Sequence, residues 1–353
     1  MRLASEIRAI LQSGVAIPAS PLALTAERAL DERRQRALWR YYSAAGAGGI
    51  ALAVHTTQFA IRDKQHGLLR PLLELGQDEL DRLDAGREQP LVRVVGVCGD
   101  THQAAKEAEH AAELGYHIAL LNLAAMGTAG NEALLAHSRT IAGILPVMGF
   151  YLQPSVGGRV LAYDFWRGLA EIENVVAVKI APFNRYMTID VVRAVAESGR
   201  GDIALYTGND DTIIMDLLTP YRFSVEGMIV ERRIVGGLLG QWAVWTRKAV
   251  ELLERCHAIA EHGDPVPVDL LALNAALTDA NAAIFDTAHD FAGCIPGIHE
   301  VLRRQGLLEG TWCLDPSEVL SRGQAEEIDR VCAAYPELQD NDFVEEHRAE
   351  WLA

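Results

Sequence analysis

Val175-Val176-Ala177-Val178-Lys179-Ile180-Ala181 is the stretch on which the fold turns, because six of its seven residues are apolar and they do not alternate with polar ones. Such a run reads as a strand buried on both faces, the kind found in parallel sheets covered by helices. Lys179 is its exception. The chain holds only three other lysines, Lys64, Lys106 and Lys248, and relies on arginine for nearly all its basic surface. A lysine reserved for a buried strand calls for a chemical reason. Guanidinium stays protonated, whereas a desolvated ammonium falls below its free pKa of roughly 10.4 and presents a neutral amine. That amine can attack a ketone to form a Schiff base. The structural alternative is a lysine at a strand end that reaches water or pairs with a carboxylate.

Outward from this strand, short β-branched runs alternate with longer amphipathic stretches, the pattern of repeated βα units. Eight strands are predicted: Gly14 to Pro18, Gly49 to Val54, Leu91 to Val97, His117 to Leu123, Leu145 to Leu152, Val175 to Ile180, Ile203 to Thr207, and Gly227 to Val230. Helical patterns such as Asp31 to Ala45, Thr101 to Leu114, Tyr163 to Ile172, Thr188 to Glu197 and Asp211 to Leu218 lie between them. Eight units of this length predict an α/β fold, a (β/α)8 TIM barrel, whose active site collects at the C-terminal ends of the strands. After Gln241 the pattern is wholly helical. Residues 1–241 are therefore expected to form the barrel, and 242–353 a C-terminal helical segment packed on it.

The bulk numbers fit one compact unit. The chain has 353 residues, half of them hydrophobic, with no linker, repeat or low-complexity tract. Its formal charge of −16 opposes binding to nucleic acid or to anionic membranes. A small-molecule partner is expected instead, held by local positive character. The five cysteines are scattered and form no CxxC pair, so neither a disulfide framework nor a zinc site is expected. With no secretory leader and no apolar span, a cytoplasmic location is expected.

At the expected barrel mouth the strand ends supply His55-Thr56-Thr57, Tyr151 within Phe150-Tyr151-Leu152-Gln153-Pro154, Lys179, and Gly208-Asn209. A lysine, a tyrosine and two threonines make a coherent carbonyl-chemistry set. Tyrosine and threonine hydroxyls can shuttle protons to a carbinolamine oxygen, and a second threonine can hold a carboxylate. Each residue taken singly has a packing or turn-forming explanation.

These segments resemble the dihydrodipicolinate synthase and N-acetylneuraminate lyase family of class I, Schiff-base aldolases and lyases. Ala53-Val54-His55-Thr56-Thr57 is similar to that family's Gly-Thr-Thr-Gly-Glu signature. Phe150-Tyr151-Leu152-Gln153-Pro154 is similar to its Tyr-Asn-x-Pro segment, and Val175-Val176-Ala177-Val178-Lys179 to its lysine strand. Ile17-Pro18 with Asp31, and Gly297 to Leu302 with Gly306-Leu307-Leu308, resemble its two ends. The resemblance implies Lys179 as the imine-forming residue, Tyr151 as proton relay, Thr56 as a link in the relay and Thr57 as carboxylate binder. Gly208 and Ile229 would line the pocket. It implies no metal and no cofactor beyond the covalent lysine imine, a keto acid substrate such as pyruvate, and a homodimer or homotetramer.

The departures bear on the substrate. Val156 stands where synthases of the family place an arginine for the second substrate, and Arg159 lies three positions beyond it. Asn122-Leu123-Ala124-Ala125-Met126 has no aromatic, and His55 and Gln58-Phe59 replace the signature's glycine and glutamate. Lysine biosynthesis is therefore not expected. The expected reaction is aldol-type cleavage of a 2-keto acid. Dehydration of a keto-deoxy sugar acid by the same imine, and a lapsed barrel acting as ligand sensor, are the alternatives. A metal-dependent hydrolase built on His55, Asp100-Thr101-His102 and His117 lacks any ligand pair at chelating spacing.

Overall fold

The computed structural model describes residues 1–353. Eight parallel strands close almost completely into a barrel. In chain order the elements are α1 (Ser5–Ser13), β1 (Ala16–Pro18), α2 (Glu32–Ala44), β2 (Gly49–Leu52), α3 (Leu69–Asp84), β3 (Val92–Val97), α4 (Thr101–Glu113), β4 (Ile118–Leu121), α5 (Asn131–Ala142), β5 (Val147–Leu152), α6 (Tyr163–Ala170), β6 (Val175–Ala181), α7 (Arg185–Glu197), β7 (Ala204–Thr207) and α8 (Ile213–Leu218). A hairpin, β8 (Tyr221–Val225) and β9 (Met228–Arg232), precedes the last barrel strand, β10 (Gly236–Leu239). The tail then runs through α9 (Thr246–His262), α10 (Val268–Ile284), α11 (Cys294–Arg304), α12 (Gln324–Ala334) and α13 (Asn341–Trp351).

The strand order is β1-β10-β7-β6-β5-β4-β3-β2. Between β1 and β2 closure rests on a single bridge, Ala19 to Ala51, with Ser20 N–H donating to the Ala51 carbonyl at 2.9 Å. Alternation within the strands divides the apolar side chains into two cores. Ile17, Val94, Leu120, Met148, Phe150, Leu152, Val176 and Leu238 fill the barrel, and Leu3, Ile7, Ile10 and Leu11 of α1 plug its N-terminal end. Every second residue faces outward into a larger core shared with the helices and the tail.

The eighth strand corrects the sequence reading. Gly227–Val230 falls in the antiparallel β8–β9 hairpin outside the barrel, where Met228 and Ile229 are exposed. Gly236-Gly237-Leu238-Leu239 takes the barrel position. Glycine is disfavoured in strands, which hides this segment from a propensity reading. Packing demands it here: a Cβ on Gly236 would lie 2.7 Å from the Val15 carbonyl oxygen, and one on Gly237 2.6 Å from the Trp242 ring.

Candidate active site

At the C-terminal mouth lies a cavity of about 60 Å³, lined among others by His55, Thr56, Phe150, Lys179, Gly208 and Asp210. Each comes from a strand end, as the barrel geometry requires. Val176, Lys179 and Ala181 of β6 point inward while Val175, Val178 and Ile180 point out. Lys179 is 8 % exposed, and its Nζ stands 4.4 Å from the centre of the Phe150 ring, its register partner on β5. Gly208, after β7, makes room for it, since a Cβ there would come within 2.6 Å of Lys179 Cε.

Burial drives the Lys179 amine well below the usual lysine range, and the charge of Asp210 partly restores it. The Asp210 carboxyl moves the opposite way, pushed up by burial and by Asp211 and pulled down by Lys179. Desolvation penalises both charged forms, so amine and carboxyl meet in a range where either can exchange a proton near neutrality. They form no direct ion pair, and Asp210 Oδ1 is buried without a hydrogen-bond partner. His55 is pushed down to about 4 by burial and by Lys179, so its imidazole is neutral at the mouth.

The loop that carries Asp210 is firmly held. Asn209 donates to Asp216 Oδ2 at 2.9 Å and to Thr188 Oγ1 at 3.1 Å, and accepts from Phe183 N–H at 3.0 Å. Thr207 Oγ1 donates to the same Asp216 oxygen at 2.7 Å, and Arg185 Nη1 to the other at 2.5 Å. Asp216 is fully buried, so its charge is answered by an arginine and two neutral donors. The His55 turn is bent between Ala53 at φ 57 and Gln58 at φ 66, left-handed values costly for non-glycine residues. Arg62 Nη2 donates to the Ala53 carbonyl, and Gln58 Oε1 accepts from Leu314 N–H at 2.6 Å, which fixes the turn to the tail.

Tyr151 requires correction. It is fully buried but on the outer face of β5, against Trp166 at a centroid distance of 5.2 Å. Its hydroxyl accepts from Leu161 N–H at 3.2 Å, and it is absent from the cavity wall. Strand alternation is the cause: with Phe150 and Leu152 inside, Tyr151 must point out. Thr57 also lies outside the wall. Its hydroxyl accepts from Val54 N–H at 3.2 Å and donates to the Ser20 carbonyl at 2.7 Å. Thr56 lines the cavity, yet its hydroxyl donates to the Ala19 carbonyl at 2.7 Å, tying β2 to β1. Arg159 is turned to the Ala129 carbonyl at 2.8 Å, and Ile229 is 68 % exposed on the hairpin, so neither lines the cavity. His102 lies on α4 and His117 precedes β4, so neither joins His55, and no group of three or more metal-type ligands occurs.

Asp210 stands in a polar run, Asn209-Asp210-Asp211, just ahead of α8, where a carboxylate is most simply a solvated or helix-start residue. Its place just past β7 was the available signal. Phe285, Phe291 and Cys294 reach the cavity from the tail, and nothing local in their sequence announces it.

Comparison with known proteins places this barrel. Residues 85–229 match the Dihydrodipicolinate synthetase family. A 4-hydroxy-tetrahydrodipicolinate synthase of Acaryochloris marina is 30% identical over 181 residues, covering 48% of this chain and 58% of the relative. A second, from Cyanothece sp., is 29% identical over 160 residues, covering 44% and 52%. The matches therefore span little more than half the length of these curated relatives. Among solved structures, dihydrodipicolinate synthase from Aquifex aeolicus superposes with a TM-score of 0.72 at 18% identity, covering 93% of this chain and 99% of that one. N-acetylneuraminate lyase from Fusobacterium nucleatum complexed with pyruvate gives 0.69 at 16% identity, covering 93% and 99%. A dihydrodipicolinic acid synthase family protein from E. coli in complex with pyruvate gives 0.70 at 17%, covering 92% and 97%. These likenesses show the fold. The sequence match is confined to the centre of the chain, where residues 85–229 are similar to the Dihydrodipicolinate synthetase family.

Proposed function

We propose that this protein is a lysine-imine lyase acting on a 2-keto acid, with Lys179 as nucleophile and Asp210 as the proton-transfer group. The observation that carries the reading is the pairing, in one desolvated cavity, of a depressed lysine amine with an elevated carboxyl that makes no direct ion pair with it. Two solved family members bound to pyruvate support the keto acid class.

Neutral Lys179 Nζ attacks the C2 carbonyl, and the carbinolamine loses its hydroxyl as water to give a protonated imine. The substrate's own carboxylate, attached to C2, offsets the new positive charge. Asp210 takes the proton from the C4 hydroxyl as the C3–C4 bond breaks. The bond's electrons flow into the imine to form an enamine, and an aldehyde leaves. A proton returned to C3 regenerates the imine, and water releases the keto acid and the amine. Proton transfer by such a positioned group contributes roughly 10²–10⁴-fold. His55, neutral, serves as hydrogen-bonding partner beside the amine. Thr56 holds the mouth of β2 against β1, and Gly208 clears the path of the lysine.

Outward-facing Tyr151 favours a second reading, a barrel that forms a reversible imine without turnover and reports a bound ligand. One experiment separates the two. Intact mass spectrometry after incubation with pyruvate and borohydride, with Lys179→Ala alongside, is expected to show a reduced pyruvyl adduct only on the unaltered chain. An adduct that survives in Lys179→Ala removes the mechanism, and an adduct without cleavage of any longer keto acid leaves the sensor.

A further inference from the structure

The cavity is chemically lopsided. Beyond the lysine its wall is Leu152, Gln153 and Val156 from β5 and the loop after it, Phe183 after β6, and Phe285, Phe291 and Cys294 from the tail, with Gln153 its one polar side chain. Phe183 and Phe291 meet edge to face with ring centroids 5.9 Å apart, so loop and tail form one apolar wall. Both residues hold left-handed backbone angles, φ 50 and φ 67, and the tertiary structure imposes that strain to aim them.

No arginine lines this wall, and Arg62 and Arg185 of the surrounding loops are committed to carboxylates. Arg62 grips both oxygens of Glu107, Arg185 is held on Asp216, and Arg159 donates to a backbone carbonyl. Once Lys179 carries the imine, its charge is answered by the carboxylate next to the reacting carbon. A second carboxylate further along the substrate would face Asp210 with no cation to offset it. A polyhydroxylated tail would find few partners, because the Thr56 hydroxyl is spent on the Ala19 carbonyl and Gln153 is the single polar side chain among the distal lining residues. Burying its hydroxyls unpaired is costly. The volume, about 60 Å³, corresponds to roughly four or five water positions and sets a short reach.

We propose that the substrate is a 2-keto acid whose end remote from the keto group is short and apolar, seated against Phe183, Phe285 and Phe291, so that cleavage releases an apolar aldehyde. The keto end rests on the imine reading above. The apolar end rests on the wall alone.

Two measurements keep these apart. In borohydride trapping followed by mass spectrometry, 4-methyl-2-oxopentanoate should label Lys179 at a concentration at least about tenfold below that needed for 2-oxoglutarate or 2-keto-3-deoxygluconate. Calorimetric titration with 4-methylpentanoate and with glutarate, which cannot form imines, should show the same preference. Adducts with all three keto acids at equal concentration overturn the apolar tail and leave the imine standing. Preferential binding of 4-methylpentanoate without any adduct upholds the apolar wall and removes the imine. No binding in either measurement overturns both. Phe291→Arg keeps the chain's backbone demand at that position unchanged and adds a cation to the rim. It should shift the trapping preference toward 2-oxoglutarate by about tenfold, and an unchanged preference places the tail elsewhere and overturns the proposal.

Discussion

Lys179 and Phe150 are register partners on adjacent parallel strands, and the amine of the first stands 4.4 Å from the ring centre of the second. The ring's negative face favours the ammonium form, by about 0.5–2 kcal/mol. It therefore works against desolvation, which favours the neutral amine.

Phe150→Leu removes that face and keeps an apolar side chain of comparable reach. The amine should then become more acidic by about half a unit to one unit. The pH dependence of imine trapping should shift to lower pH by that amount. An unmoved profile would show that the ring contact has no electrostatic weight.

In Asp210→Asn the charge that raises the Lys179 pKa is gone, so the amine titrates at lower pH still. Imine formation at acidic pH should rise, while C–C cleavage should fall by roughly 10²–10⁴-fold. Single-turnover kinetics alongside trapping measures both. A parallel loss of trapping and cleavage would argue that Asp210 only supports the fold.

Tyr151→Phe should leave cleavage within a few-fold of the unaltered protein, because the hydroxyl serves Leu161 N–H on the outer side of β5. Stability should drop by about 1–3 kcal/mol, as a buried N–H loses its acceptor. Chemical denaturation and a steady-state assay test the pair. A cleavage defect of a hundredfold or more with stability intact would return this tyrosine to the mechanism.

Gly208→Ala faces no conformational barrier of the left-handed kind, yet its methyl group would sit 2.6 Å from Lys179 Cε and 2.8 Å from Ala181 Cβ. The lysine must move. Loss of adduct formation with a circular dichroism spectrum and melting temperature close to the original is the expected result.

His117 explains part of the protein's acid sensitivity. Its Nδ1 accepts the backbone N–H of Arg93 at 3.1 Å, and burial with the nearby guanidinium pushes it down to about 4. In the unfolded chain it titrates at an ordinary value near 6.5. Between these two values the unfolded state binds the extra proton, so stability falls as pH falls through the window. The loss approaches about 3 kcal/mol near the lower end. Denaturation of His117→Gln, whose side-chain carbonyl can still accept that N–H, should show a shallower decline between pH 6.5 and 4.

Much of the fold was legible because its signals are local. The apolar run of β6, the βα alternation and the helical tail all follow from burial and periodicity within short windows. The eighth strand escaped because its glycines answer to the folded packing, Gly236 to Val15 at the far end of the barrel sequence and Gly237 to the Trp242 ring turned back onto it. The hairpin that replaced it carries the better β-propensity and lies outside the barrel.

The site divides along the same line. That Lys179 would be a buried amine at a strand end was fixed by the residues around it, since an unbroken apolar strand has no polar side to offer. Which groups face that amine was settled only by tertiary structure. A shift of one residue in a strand reverses the side chain, so Phe150 and not Tyr151 meets the lysine. Asp210 becomes a partner because burial raises a carboxyl that in sequence is one of three consecutive polar residues. The aromatic wall exists because the tail, whose local pattern encodes only helices, folds back over the mouth and brings Phe291 to Phe183.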